Sequence, residues 1–228
     1  MTDGIENKGY LIDYRLLRLL MGIIAIAMPI VVSLWSHEKL SSISASYHTA
    51  AQDIFVGMLF SVGTFLIAYR GTANHQKTML AAKIGAMGAF SAALFPISPD
   101  GCPMDTSSYI HNMAALILFG SLAYFCLKLF RDRVKCKSGL KPLRRYFLYT
   151  ACGYGIIGSV LFIIAAWSLE RIGFLPDNAL LNYRIIFIGE GIALGCFGSA
   201  WFVAGKWWFF SYYVDKNEAY RPLQRRVE

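Results

Sequence analysis

Four protonatable side chains interrupt otherwise apolar stretches of this chain: His48, Asp53, His111 and Glu190. A charge inside hydrocarbon is costly and persists only with a partner, a water-filled pocket or a function, so these residues are where chemistry is sought. Their types suit proton transfer and headgroup recognition. An imidazole titrates near neutrality, and a carboxylate can orient it or carry a proton itself. Each residue also has a structural reading. Thr49 and Asp53 can cap a helix start, a boundary histidine such as His111 can be purely interfacial, and Glu190 can anchor an ion pair or hydrogen bond. Glu190 carries the strongest signal, because about six residues of helix from Arg184 place it roughly 9 Å beneath the expected boundary. Arg184 is a further candidate, but it stands about 120° away around the same helix, so pairing with Glu190 would need both long side chains to bend. His48 and Asp53 lie about 140° apart and need not touch each other.

The four main candidates are acceptable zinc ligands by chemistry. Their spacing does not support a metal, since no HxxxH or HExxH pair shares a helix, and His37 and His75 fall in a loop and on the opposite side. No metal and no cofactor are expected. GxSxG, a Walker A loop, CxxC and CxxCH are all absent, which removes serine-hydrolase, nucleotide-driven and haem readings.

The elements that must position these residues are apolar runs. The chain has 228 residues, of which 56% are hydrophobic and 16% charged. Apolar residues come in runs of about 20, the length that crosses a bilayer as helix. The runs predict an all-α polytopic membrane protein, a six-transmembrane-helix bundle forming a single domain over 1–228, with spans near 16–35, 50–69, 78–95, 109–128, 147–168 and 185–205. The net charge of +8 concentrates in alternate links. Lys128, Arg131, Arg133, Lys135, Lys137, Lys141, Arg144 and Arg145 crowd the fourth link, Arg15 and Arg18 precede the first span, and Arg70, Lys77 and Lys83 flank the second link. The positive-inside rule then places both termini in the cytoplasm and explains the charge without nucleic acid. Links 36–49, 96–108 and 169–184 fall outside, bringing His48, Asp53, His111 and Glu190 toward one face. Trp35 and Trp167 at the outer boundaries, and Trp201, Trp207, Trp208, Tyr212 and Tyr213 around the inner, basic end of the last span, supply interfacial rings.

Three prolines and a glycine, Pro96, Pro99, Pro103 and Gly101, shape the outer loop, and Asp105, Thr106 or Ser107 can cap the helix that carries His111. Small residues recur at helical spacing: Gly57 with Ser61, Gly85 with Ala89, Gly153, Gly155 and Gly158 together, and Gly191 with Gly195. They permit close approach, within the bundle or between copies, and Gly191 with Gly195 gives a candidate homo-oligomer contact. Cys126, Cys152 and Cys196 fall within spans, Cys136 on the basic side and Cys102 outside, so no structural disulfide is expected.

The segments SISASYHTAAQDIFVGMLFSVGTFLIAYRG, ALFPISPDGCPMDTSSYIHNMAALILFGSLAYF and GEGIALGCFGSAWFVAG resemble bacterial six-helix membrane proteins of unknown function, distantly similar to the damage-regulated autophagy modulator group. The shared features are an outer Ile-Ser segment entering the second helix, a Phe-Pro turn, a His opening the fourth helix and Tyr124 closing it. The resemblance implies a six-helix fold and a connection with lipid remodelling or sensing. It carries by position to His111 and to Ser44 through Asp53.

These readings converge on a protein of the bacterial cytoplasmic membrane with an outward-facing polar pocket, lined by His48, Asp53, His111 and Glu190, that binds a lipid headgroup or similar amphiphile. If the protein is an enzyme, general acid and base action on a lipid ester or amide fits these groups, with His111 or His48 as base. A small proton-coupled permease using Glu190 and His111 as a relay, and a scaffold or assembly factor using the glycine faces, are the alternatives.

Overall fold

The computed structural model describes residues 14–69, 75–135, 139–176 and 178–205. Arg70, Cys136, Lys137 and the aromatic and polar stretch from Lys206 onward, all assigned above to the basic side, lie outside the described residues.

Helix is the expected outcome for apolar runs of this length, because every backbone N–H and C=O must be satisfied within the segment. Six long helical segments form among the described residues: α1 (Tyr14–Trp35), α2 (Gln52–Ala68), α3 (His75–Leu94), α4 (Thr106–Tyr124), α6 (Leu140–Arg171) and α8 (Ile185–Ala204). Between them lie a 3₁₀ turn at Ser44–His48, a π-helical stretch Phe125–Phe130 that runs α4 into α5 (Arg131–Lys135), and a single turn, α7 (Ala179–Asn182). No strand occurs among the described residues. Four stretches, Leu16–Trp35, Thr106–Lys135, Pro142–Arg171 and Ile185–Ala204, are long and apolar enough to cross a membrane. α2 is a shorter apolar helix of 17 residues, and α3 carries Lys77 and Lys83 among alanines and glycines.

The expected spans fall on these helices, with two differences. α6 runs for 32 residues and α4 continues through the π-helical stretch to Lys135, so much of the basic link is helix rather than loop. Arg131, Arg133, Arg144 and Arg145 therefore stand on extended helix ends.

The long helices close a ring in the order α1, α2, α3, α4, α6, α8 and back to α1. Small residues set the tightest contacts. α3 buries Ala82, Ala86, Ala89, Ala92 and Ala93. At Gly88 the backbone of α4 comes so near that an added Cβ would lie 2.8 Å from both the Ala114 oxygen and the Leu118 nitrogen. α1 and α8 meet through Gly22 and Gly198, where a Cβ on Gly198 would lie 2.9 Å from the Gly22 oxygen. The Gly191 and Gly195 pair does not make that contact: a Cβ at Gly195 would meet nothing within 4 Å, and one at Gly191 only Pro29 at 3.9 Å. Gly57 and Gly158 are equally open, whereas Gly85, Gly153 and Gly155 are closely packed.

One end of the ring carries the loops 36–51, 95–105 and 172–184; the other carries Arg18, Tyr69 and α5. They are called here the loop end and the basic end. Toward the basic end the interior is filled by Tyr69, Phe125, Phe130, Phe197 and Trp201, each at most 1% exposed. Trp201 contacts the other four, with ring centroids 5.1 to 5.7 Å apart, so it is a core residue and not the interfacial ring its position suggests.

Candidate functional site

The loop end is built from serines. Residues 40–46 turn inward instead of spanning the surface, while His37, Glu38 and Lys39 before them are exposed, and Ser36, Ser41, Ser42, Ser44 and Ser46 are all buried. A buried loop must satisfy its backbone and hydroxyl groups, and this one does so within itself and against the loop between α3 and α4. The Ala45 N–H donates to Ser42 Oγ at 2.9 Å, the Ser46 hydroxyl donates to the Ile43 carbonyl at 2.6 Å, and the Ser41 hydroxyl donates to Asp100 Oδ1 at 2.7 Å.

The same segment is tied to the start of α8 rung by rung. Arg184 Nε donates to the Leu40 carbonyl at 2.7 Å, and the Phe187 N–H donates to the Ser41 carbonyl at 3.0 Å. The Ile43 N–H donates to Glu190 Oε2 at 2.5 Å, and Ser44 lines the cavity beside the same side chain. Glu190 thus receives a free N–H group at the head of the 3₁₀ turn, a role carboxylates play at helix N-termini. Pairing with Arg184 does not occur: the backbone of Ile43 fills that role, and Arg184 instead stacks over the Phe187 ring at 4.0 Å while holding Leu40.

The neighbouring helix end is capped by two side chains from other elements. α3 stops before Pro96, whose ring disfavours helix at the preceding residue, and leaves its last carbonyls free. His111 Nδ1 donates to the Phe95 carbonyl at 2.8 Å. The Tyr47 hydroxyl donates to the Ala93 carbonyl at 2.7 Å, and burial pushes its phenol up from the ordinary value. His48 Nε2 bonds to the Ile97 carbonyl at 2.6 Å, in the loop beyond Pro96. The turn between α3 and α4 closes through Asp105, which caps α4 by accepting from the Ser108 N–H at 2.8 Å and from the Ser108 hydroxyl at 2.7 Å. Of the three proposed caps, Asp105 is the one used.

Between these two capped ends lies a cavity of about 40 Å³. His111 from α4 and Glu190 from α8 both line it, with Ser44. The rest of the wall is apolar, including Met28, Phe55, Leu59, Leu118, Phe119 and Leu194. The expectation of a polar pocket lined by four protonatable residues is corrected here. His48 is exposed and committed to the loop, Asp53 is exposed in the first turn of α2, and neither lines the cavity. At 3% exposure His111 is buried in the bundle, not interfacial. No cluster of three or more His, Cys, Asp or Glu side chains able to hold a metal occurs among the described residues.

Ser42 and Asp100 were not singled out by sequence reasoning, and Ser44 and Tyr47 entered only within the segment from Ser44 to Asp53 that the resemblance marks. The run of hydroxyls in SSISAS reads equally as an ordinary solvated loop.

Apolar helices of membrane-crossing length around a buried, hydrogen-bonded loop define an integral membrane protein of all-helical class. The chain belongs to the family described as Protein of unknown function (DUF998), whose model matches residues 40–181. The matched region contains Ser44, His48, Asp53 and His111, while Arg184 and Glu190 lie beyond it. No curated protein and no solved structure matches the chain.

Proposed function

We propose that this protein is a six-span protein of the bacterial cytoplasmic membrane, with both termini in the cytoplasm, that binds an amphiphile at the loop-end cavity. The observation that carries this reading is the convergence of His111 and Glu190, from helices far apart in sequence, on one cavity whose remaining wall is mostly hydrocarbon. Such a site recognises a molecule with one polar group and one apolar body. A volume of about 40 Å³ holds a few water-sized groups, so it accepts the end of an amphiphile and not a whole phospholipid headgroup. The distant likeness to the autophagy-modulator group points the same way, toward lipid sensing or remodelling.

Binding is favoured over hydrolysis. A histidine base is ordinarily oriented by a carboxylate, but the identified partner of the His111 ring is the Phe95 carbonyl, and Glu190 is engaged by the Ile43 N–H. Binding is also favoured over a permease. Farther along α4 and α8 the interior is closed by Phe125, Phe197 and Trp201, so the cavity does not continue as a polar path toward the basic end.

The test is to purify the protein in mild detergent, identify the lipids retained by mass spectrometry, and repeat with His111→Ala and Glu190→Gln. The expected result is loss of one retained lipid class from both variants. An unchanged profile in folded variants refutes the site. Orientation has its own check: a reporter fused after Lys137 is expected to be active on the cytoplasmic side, and activity outside reverses the topology.

A second reading rests on the open Gly191 and Gly195 face, where none of the described residues comes within 4 Å of a Cβ at Gly195. It fits a homodimer or scaffold contact through α8, since small residues in lipid allow close helix approach. Crosslinking that disappears in Gly195→Leu supports it, and a monomer under all conditions removes it.

A further inference from the structure

At the basic end, away from the cavity, two arginines converge on one hydroxyl. Arg18 Nη2 from α1 and Arg133 Nη1 from α5 each donate to Tyr69 Oη at 3.1 Å. Arg18 is fixed further by donating through Nη1 to the Ala204 carbonyl at 3.0 Å, and its guanidinium lies 5.5 Å from the centroid of the Tyr69 ring. Arg133 packs over Phe130, with its guanidinium carbon 5.9 Å from the ring centroid. These contacts hold two positive charges together around a neutral oxygen.

Their donors are not used up. Arg18 Nε, Arg133 Nε and Arg133 Nη2 are buried and have no hydrogen-bond partner among the described residues. Nε and Nη2 form an edge of the guanidinium along which two N–H bonds run parallel, so the free edge of Arg133 is a fork that takes two oxygens of one anion. Leaving such a fork buried and unpaired costs the desolvation of a charged group with nothing to offset it. No carboxylate pairs with either arginine among the described residues, and the nearby helix ends add Arg131, Lys135, Arg144 and Arg145 to the positive potential, against the single exposed carboxylate of Asp132 on α5.

We propose that Arg18 and Arg133, arranged around Tyr69, form a binding site for a phosphate-bearing anion at the basic end of the bundle. A tetrahedral oxyanion suits two forks approaching from different helices better than a planar carboxylate does, because it presents several oxygens in divergent directions and can carry more than one charge. A lipid phosphate and a free phosphate share this chemistry. Occupancy would bridge α1 and α5 through Tyr69 at the end of α2, so the site also ties three elements together.

The test uses the full-length protein in two settings. In dodecyl maltoside micelles, which contain no phosphorus, inorganic phosphate is titrated and followed by ³¹P line broadening and by thermal stability. In nanodiscs of phosphatidylcholine with and without phosphatidylglycerol, retained lipid is counted by native mass spectrometry. Saturable inorganic phosphate binding assigns a free-phosphate site. Preferential retention of phosphatidylglycerol without phosphate binding assigns a lipid site. Either supports the proposal. Arg133→Lys keeps the charge but removes the fork and is expected to weaken the binding roughly tenfold, as loss of one bidentate contact does. Arg133→Gln is expected to weaken it further. If that variant does not fold, the wild-type titration and Arg133→Lys still decide. Wild-type protein that binds neither phosphate nor anionic lipid overturns the site, as does binding in Arg133→Lys equal to wild type.

Discussion

Replacing Glu190 by alanine removes the acceptor that holds the buried serine loop. The Glu190 side chain accepts from the Ile43 N–H at 2.5 Å. Leaving a buried donor without its acceptor costs about 1–3 kcal/mol. Alanine supplies no acceptor, and the surrounding wall is mostly hydrocarbon, so the Ile43 N–H stays unpaired. A net loss of about 2 kcal/mol follows. Because the loss is confined to one loop, it is read as local opening and not as global unfolding. At about 1.4 kcal/mol per decade, 2 kcal/mol corresponds to roughly 30-fold more frequent opening. Hydrogen exchange by mass spectrometry should therefore show peptides covering residues 40–48 exchanging roughly 30-fold faster in Glu190→Ala, with the α3–α4 contact unchanged. Exchange within about threefold of wild type in that segment would refute the anchoring role, since an orphaned buried N–H costs more than that.

Three further outcomes follow from local geometry. The Ser108 hydroxyl and N–H hold the Asp105 carboxyl below its ordinary value of 3.8, so its contribution to the α3–α4 turn is fully present above that value and is lost as pH falls through the lowered one; exchange of the turn measured from pH 5 to about pH 2 should show this loss, and Asp105→Asn should abolish the pH dependence. Gly88→Ala places a methyl against α4 backbone that cannot step aside, and should lower stability by about 1–3 kcal/mol, whereas Gly195→Ala, with open space around it, should shift the thermal midpoint of the monomer very little. Tyr47→Phe removes the donor to the Ala93 carbonyl and should cost about 1 kcal/mol in the same melt.

Sequence reasoning reached the helices and the end of the bundle where the candidate residues gather, because both follow from how lipid treats backbone and charge. It did not reach which of those residues meet. α2, α4 and α8 are apolar on nearly every face, so no polar stripe marks the side that turns inward. His48 and His111 looked equivalent at the boundary, yet one is exposed on the loop and the other is buried against the end of α3. Arg18 and Arg133 read as ordinary members of a basic flank, and their shared acceptor at Tyr69 arises only when α1, α2 and α5 come together.

By itself the sequence determined that this chain would be helical and apolar, with its protonatable groups toward one end, since a bilayer leaves a chain of this composition no other way to satisfy its backbone. Tertiary structure alone decided that 40–46 would be buried as a loop, that the Ile43 N–H would be received by Glu190, and that Glu190 and His111 would share one cavity. The physical reason is that these outcomes depend on how each helix is rotated against its neighbours. Rotation is set by close contacts such as Gly22 with Gly198 and Gly88 with α4, not by hydropathy.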